Sequence, residues 1–137
     1  MQLAIHLNFN GNCEEAFQFY ARHLGGKIIM LTRYRGTPME SHMSGDAADK
    51  IIHASMLLGD TTLMGADPPP GNYEAPRGVS VTLGITDVTE AERIFSALSD
   101  QGTVQMPLQK TFWAERFGML RDRFGVPWMI NCTQAAS

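Results

Sequence analysis

The order strand, helix, strand, strand, strand occurs twice in this chain at a nearly constant offset. That duplication limits what the chain can fold into more than any other feature. Asn12 stands where the first helix opens and Gly25-Gly26 where it ends, and Asp87 and Gly102 hold the same places in the second half. Asn12 and Asp87 lie 75 positions apart, and Gly26 and Gly102 lie 76 apart. A shared offset of this kind marks a duplicated supersecondary unit. Each copy has one helix, and a helix covers one face of a small sheet, so the other face is left to side chains or to a ligand.

The elements are read from periodicity and punctuation. Leu3, Ile5, Leu7 and Phe9 alternate with Ala4, His6, Asn8 and Asn10, the period-two pattern of a half-buried strand. Asn12 followed three residues later by Glu15 predicts a capping box, and Asp87 with Glu90 three residues later opens the second helix. Cys13, Ala16, Phe17, Tyr20 and Leu24 form one apolar helical stripe, and Val88, Ala91, Ile94, Phe95 and Leu98 form the other. Further strands are expected over residues 27–34, 51–58, 61–66, 79–85, 104–108, 112–121 and 126–132, with tight turns at Gly59-Asp60 and Arg123-Phe124-Gly125. Residues 35–49 read as a long polar loop, and residues 67–78, with Pro68-Pro69-Pro70, as a stiff linker.

The expected architecture is α+β: two tandem βαβββ modules forming a curved, cup-shaped mixed sheet with helices on the convex side. It forms a single domain over residues 1–137, with module 1 at 1–66, a linker at 67–78 and module 2 at 79–132. A chain of 137 residues buries enough surface to fold without a disulfide or structural metal. Cys13 and Cys132 form no C-x-x-C motif and are expected to be reduced and buried. Eleven basic residues against 14 acidic ones give a net charge of −3, without the basic excess of a nucleic-acid binder. No apolar run is long enough to span a membrane and the first residues lack a basic leader, so a cytoplasmic location is expected.

The segments Leu7-Asn8-Phe9-Asn10-Gly11-Asn12-Cys13-Glu14-Glu15-Ala16-Phe17, Thr111-Phe112-Trp113-Ala114-Glu115-Arg116-Phe117-Gly118 and Phe124-Gly125-Val126-Pro127-Trp128-Met129-Ile130-Asn131 carry a family resemblance. The chain resembles the vicinal-oxygen-chelate superfamily, which includes glyoxalase I, bleomycin-resistance proteins and extradiol dioxygenases. Within it the chain is most similar to the PhnB-like branch, also labelled 3-demethylubiquinone-methyltransferase-like. The resemblance implies a homodimer and a small-molecule ligand. It also implies, for metal-dependent members, one His, Gln or Glu ligand from each of four strands. Counting from the helix caps and the closing hairpin, those places fall on Ile5, Met64, Val81 or Ser80, and Met129. None of these suits a hard cation, so no metal and no cofactor is expected. A slip of one residue would bring His6 into the first place, at the cost of turning its strand neighbours over.

The expected ligand cavity therefore takes in Ile5, Leu7, Phe9, His53, Met64, Val81, Trp113, Arg116 and Met129. His53 is the candidate catalytic group, since an imidazole in a cavity can act as a base near neutral pH; its ordinary reading is a satisfied sheet histidine. Trp113 and Met129 offer apolar surface to a flat ligand, and Arg116 offers a fork of donors to a carboxylate or phosphate. His6 is expected on the helix side or in solvent. Three readings follow: a metal-free binder of a small molecule, a metal-dependent lyase, isomerase or dioxygenase with an unusual ligand set, and a sequestering protein that leaves its ligand unchanged. No G-x-G-x-x-G segment is present to hold a nucleotide-like methyl donor.

Overall fold

The computed structural model describes residues 1–133. The element order is β1 (Ile5–Asn8), α1 (Cys13–Leu24), β2 (Lys27–Arg33), β3 (Ile51–Leu58), β4 (Thr61–Ala66), β5 (Val81–Ile85), α2 (Val88–Ser99), β6 (Thr103–Gln109), β7 (Ala114–Arg121) and β8 (Pro127–Thr133). The strands are hydrogen-bonded as two four-stranded mixed sheets, ordered β1-β4-β3-β2 and β5-β8-β7-β6. In each, the first strand runs parallel to the fourth and the remaining pairs are antiparallel. A parallel pair needs a long crossover, here the helix and the two strands between. The chain divides into two compact units, Met1–Ala75 and the part from Pro76 onward.

In the N-terminal unit, α1 lies over the sheet on an aromatic cluster. Phe9 and Phe17 meet edge to face with ring centres 6.1 Å apart, and Tyr20 packs on both. Gly65 lies beneath this cluster, where a Cβ would come within 2.7 Å of the Phe17 ring. The helix ends at Gly25 in the left-handed region, with φ 74°. Its start departs from the expected capping box, because the Asn12 side chain makes no capping hydrogen bond. Instead Asp67, only 2% exposed, supplies the cap from the far end of β4. Its Oδ1 accepts from the Cys13 N–H at 3.0 Å and its Oδ2 from the Ile51 N–H at 3.0 Å. The Asp67 carbonyl accepts from the Tyr34 hydroxyl at 2.6 Å. Asp67, read from the sequence as the first linker residue, thus ties α1, β3 and the end of β2 together. Between β2 and β3 the expected loop contains two short 3-10 turns, Glu40–His42 and Gly45–Asp49.

In the C-terminal unit the cap forms as expected: Asp87 Oδ2 accepts from the Glu90 N–H at 3.0 Å. Glu90 turns to Arg93 instead of completing the box. Ala91, Ile94, Phe95 and Leu98 are the buried face of α2. The helix closes at Asp100 in extended conformation, two residues before the expected Gly102. Gly118 on β7 lets α2 approach, since a Cβ there would lie 2.6 Å from the Phe95 ring. The closing hairpin is organised by Asp122, 4% exposed. Its Oδ1 accepts from the Phe124 and Val126 N–H groups at 2.8 and 3.0 Å, and its Oδ2 from the Trp128 indole at 2.8 Å. Residues 112 and 113, expected in a strand, precede β7 in a turn closed by the Ala114 N–H on Thr111 Oγ1 at 3.1 Å.

Candidate functional site

The helix covers one face of each sheet, and strand alternation decides which side chains face away from it. In the N-terminal unit Phe9 packs on α1, Leu7 pairs with Gly65 beneath it, and Ala54 and Met56 are buried on the same side. The alternate residues therefore occupy the open face. His6 lies beside Met64, Met64 beside Ser55, and Ser55 beside Met30, in one row across four strands. His53, beside Thr32, and Asn8, beside Ala66, have the parity of this row on their own strands. Burial first, and then the charge of His53, hold the His6 imidazole below its ordinary pKa. His6 and His53 thus share a face.

The open face of the C-terminal unit carries a cavity of about 460 Å³. Its walls include Ser80, Thr82, Gln105, Arg121, Pro127 and Met129. Thr82 is in register with Met129, Met129 with Met119, and Met119 with Met106, so three thioethers cross three strands. Phe117 stands on the same face beside Asn131, and the Trp113 ring packs edge-on against Phe117 with centres 5.3 Å apart. Opposite this face, Trp128, Ile130, Cys132 and Leu120 are fully buried under α2.

The expected site residues divide between the two faces. Met64 and His53 are on the open face of the first unit, and Met129 is in the cavity of the second. Trp113, 49% exposed, reaches the open face through Phe117. Leu7 and Phe9 are in the core beneath α1, and Ile5 shares their parity. Val81, in register with the buried Trp128, points toward α2. These four lie one residue out of phase with the open faces. The apolar parity of each first strand belongs to the helix side, where burial stabilises most, and the polar parity is left on the open face. Arg116 is also on the helix side: it pairs with the buried Cys132 and shares the parity of Gly118 and Leu120, and it lies 3.7 Å from Glu92 of α2, while its Nη1 donates to the Glu115 carbonyl at 2.7 Å.

His6 and Ser80 stand in the sequence reading as alternatives outside the expected cavity, and Thr82, Gln105 and Arg121 are not singled out there. The signal that was present is the parity of Thr82 and Arg121, each next to a residue of the buried stripe. Corrected by one position, the places implied by the resemblance become His6 with Met64 in the first unit and Thr82 with Met129 in the second. The first pair offers an imidazole and a thioether, the second a hydroxyl and a thioether. A hard divalent ion needs carboxylate or amide oxygen and imidazole nitrogen, and neither pair supplies such a set. Among the described residues no three His, Cys, Asp or Glu side chains group as a metal site. No helix among them is long and apolar enough to cross a membrane.

Residues 1–131 match the family described as 3-demethylubiquinone-9 3-methyltransferase. Protein YjdN of Escherichia coli (strain K12) is 32% identical, covering 96% of this chain and 95% of that protein. The crystal structure of protein PA1353 from Pseudomonas aeruginosa superposes with a TM-score of 0.89 at 46% identity, covering 98% of this chain and 99% of that one. A PhnB protein from Bacillus cereus, described as a putative 3-demethylubiquinone-9 3-methyltransferase, superposes at 0.83 with 24% identity, covering 97% and 100%. The fosfomycin resistance protein FosX from Mesorhizobium loti shares the fold at a TM-score of 0.62 and 11% identity, covering 98% and 92%.

Proposed function

The chain belongs to the 3-demethylubiquinone-9 3-methyltransferase family, PhnB-like, within the glyoxalase/bleomycin-resistance/dioxygenase fold, and from that premise we propose that it binds a small organic molecule without a hard divalent metal. The observation that supports this reading is the cavity of about 460 Å³ on the open face of the C-terminal unit, a volume in the range of small-molecule sites. Its chemistry differs from the largely apolar cavity expected from sequence. Ser80, Thr82, Gln105 and Arg121 bring hydrogen-bonding groups, and Met129 supplies the apolar wall. The metal-free part rests on the donors at the places the resemblance implies, an imidazole with a thioether in one unit and a hydroxyl with a thioether in the other, which suit no hard ion doing Lewis-acid work on oxygen. The family's descriptive name is not adopted as an activity, because a fold hosts many reactions and no nucleotide-binding loop is present in the sequence.

A thermal-shift panel of small acids, amines, sugars and aromatics, run in excess chelator, tests the reading. At least one compound is expected to stabilise the protein and to lose its effect in Met129→Trp, which sets a bulky ring into the cavity wall; circular dichroism verifies that the variant is folded. Stabilisation that appears only with added divalent ions would overturn the metal-free part. The same reading takes the protein to be a cytoplasmic homodimer without nucleic-acid partners, so light scattering is expected to return twice the chain mass.

A further inference from the structure

We infer that the cavity of the C-terminal unit is an oxyanion site, in which Arg121 receives the carboxylate or phosphoryl group of the ligand. This rests on the reading that the cavity binds a small molecule, and it names the class of molecule. The guanidinium has five N–H donors in a planar fork. One nitrogen, Nη1, is already engaged by two backbone carbonyls, Gly125 at 2.6 Å and Pro76 at 3.2 Å. Those two bonds use the Nη1 hydrogens and hold the plane of the group. Nε and Nη2 remain, and they form the side-on edge that grips two oxygens of a carboxylate or phosphate at once.

The surroundings support the same chemistry. Arg121, like Arg22 and Arg77, has no carboxylate partner among the described residues, whereas Arg33, Arg35, Arg93, Arg116 and Arg123 each have one; of the three, Arg121 alone lines this cavity. No acidic side chain lines the cavity. Arg121 is half-buried, which strengthens a charge-assisted bond relative to one in open water. The hydroxyls of Ser80 and Thr82 and the amide of Gln105 line the same cavity and can donate to further oxygens, while Met129 receives the apolar part of the molecule. The clamp is also pre-set. Asp122 holds the hairpin through Phe124, Val126 and Trp128, and that hairpin presents the Gly125 carbonyl to Arg121. The fork is therefore positioned before a ligand arrives, which lowers the ordering cost of binding.

The experiment titrates the full-length protein, its arginine Nε–Hε groups followed by nitrogen-15 NMR, with three probes: benzoate, its neutral isostere benzamide, and inorganic phosphate. Benzoate or phosphate is expected to shift the Arg121 resonance saturably and benzamide to leave it in place. Saturation by benzoate alone identifies a carboxylate site, and by phosphate alone a phosphoryl site. Arg121→Gln is expected to weaken the effective anion at least about tenfold, with Arg121→Lys between the two. The wild-type titration does not depend on how well either variant folds. An Arg121 resonance that neither anion moves overturns the inference, as does equal binding of benzamide and benzoate. If neutral panel compounds still bind in the cavity and are lost in Met129→Trp, the inference alone fails. If nothing binds there, the wider reading fails with it.

Discussion

Asp67 shows what one buried side chain does in this protein. Its two oxygens accept from N–H groups 54 and 16 positions away, so each contact closes a long loop. An Asn at this place keeps one acceptor and turns an N–H₂ toward the other donor. Asp67→Asn is expected to lower the unfolding free energy by about 2–3 kcal/mol, read from denaturant titration. The same carboxylate acts on Cys13: burial first, then the charges of Asp67 and Glu14, push that thiol well above its ordinary range. Cys13 and Cys132 are both free and buried. Native protein is therefore expected to be inert to a thiol reagent at about pH 8, and both thiols to react once denaturant is added. His6 gives a pH dependence of definite sign. Its folded pKa lies below its ordinary value near 6.5, so in the interval between them the unfolded chain holds more protons. Stability contributed there is full above pH 6.5 and falls as pH drops toward the folded pKa, levelling off beneath it. His6→Gln is expected to flatten that part of the stability profile.

At the scale of the element, two glycines show how closely each helix is seated. Gly65 and Gly118 leave room for the rings of Phe17 and Phe95, and a methyl group at either would stand 2.6–2.7 Å from ring carbon. Gly65→Ala and Gly118→Ala are each expected to cost about 1–3 kcal/mol by forcing the ring and helix outward, measured by thermal melting. The helices and most strands were legible because their signals are local. Asp87 caps a helix with a donor three residues on, and β3 and β4 occupy the expected spans. The cap of α1 was not legible, because the group that supplies it lies beyond β4 and no short-range pattern points there. The site was legible only in part for a related reason. Alternation along a strand gives two parities and does not say which one a helix will cover. The apolar parity of β1 and β5, which supplied Leu7, Phe9 and Val81 to the expected cavity, faces the helices, while Met64, His53 and Met129 lie on the open faces. Arg116 has the parity of Gly118 and Leu120, which α2 covers, and alternation alone does not name that parity as the covered one.

At the scale of the whole molecule, the duplication that opens the sequence gives two units alike in topology and unlike in chemistry. One open face holds two histidines and the other a cavity with an arginine. The units also differ in their chromophores. Tyr20, Tyr34 and Tyr73 all belong to the part ending at Ala75, and Trp113 and Trp128 both to the part beginning at Pro76. Each half thus carries its own optical label, built in by the sequence. Tryptophan emission excited beyond the tyrosine band reports on the second unit alone, and derivative absorbance of tyrosine on the first. Unfolding curves recorded in the two channels, on unmodified protein, will coincide if the halves melt as one cooperative body and separate if each melts independently.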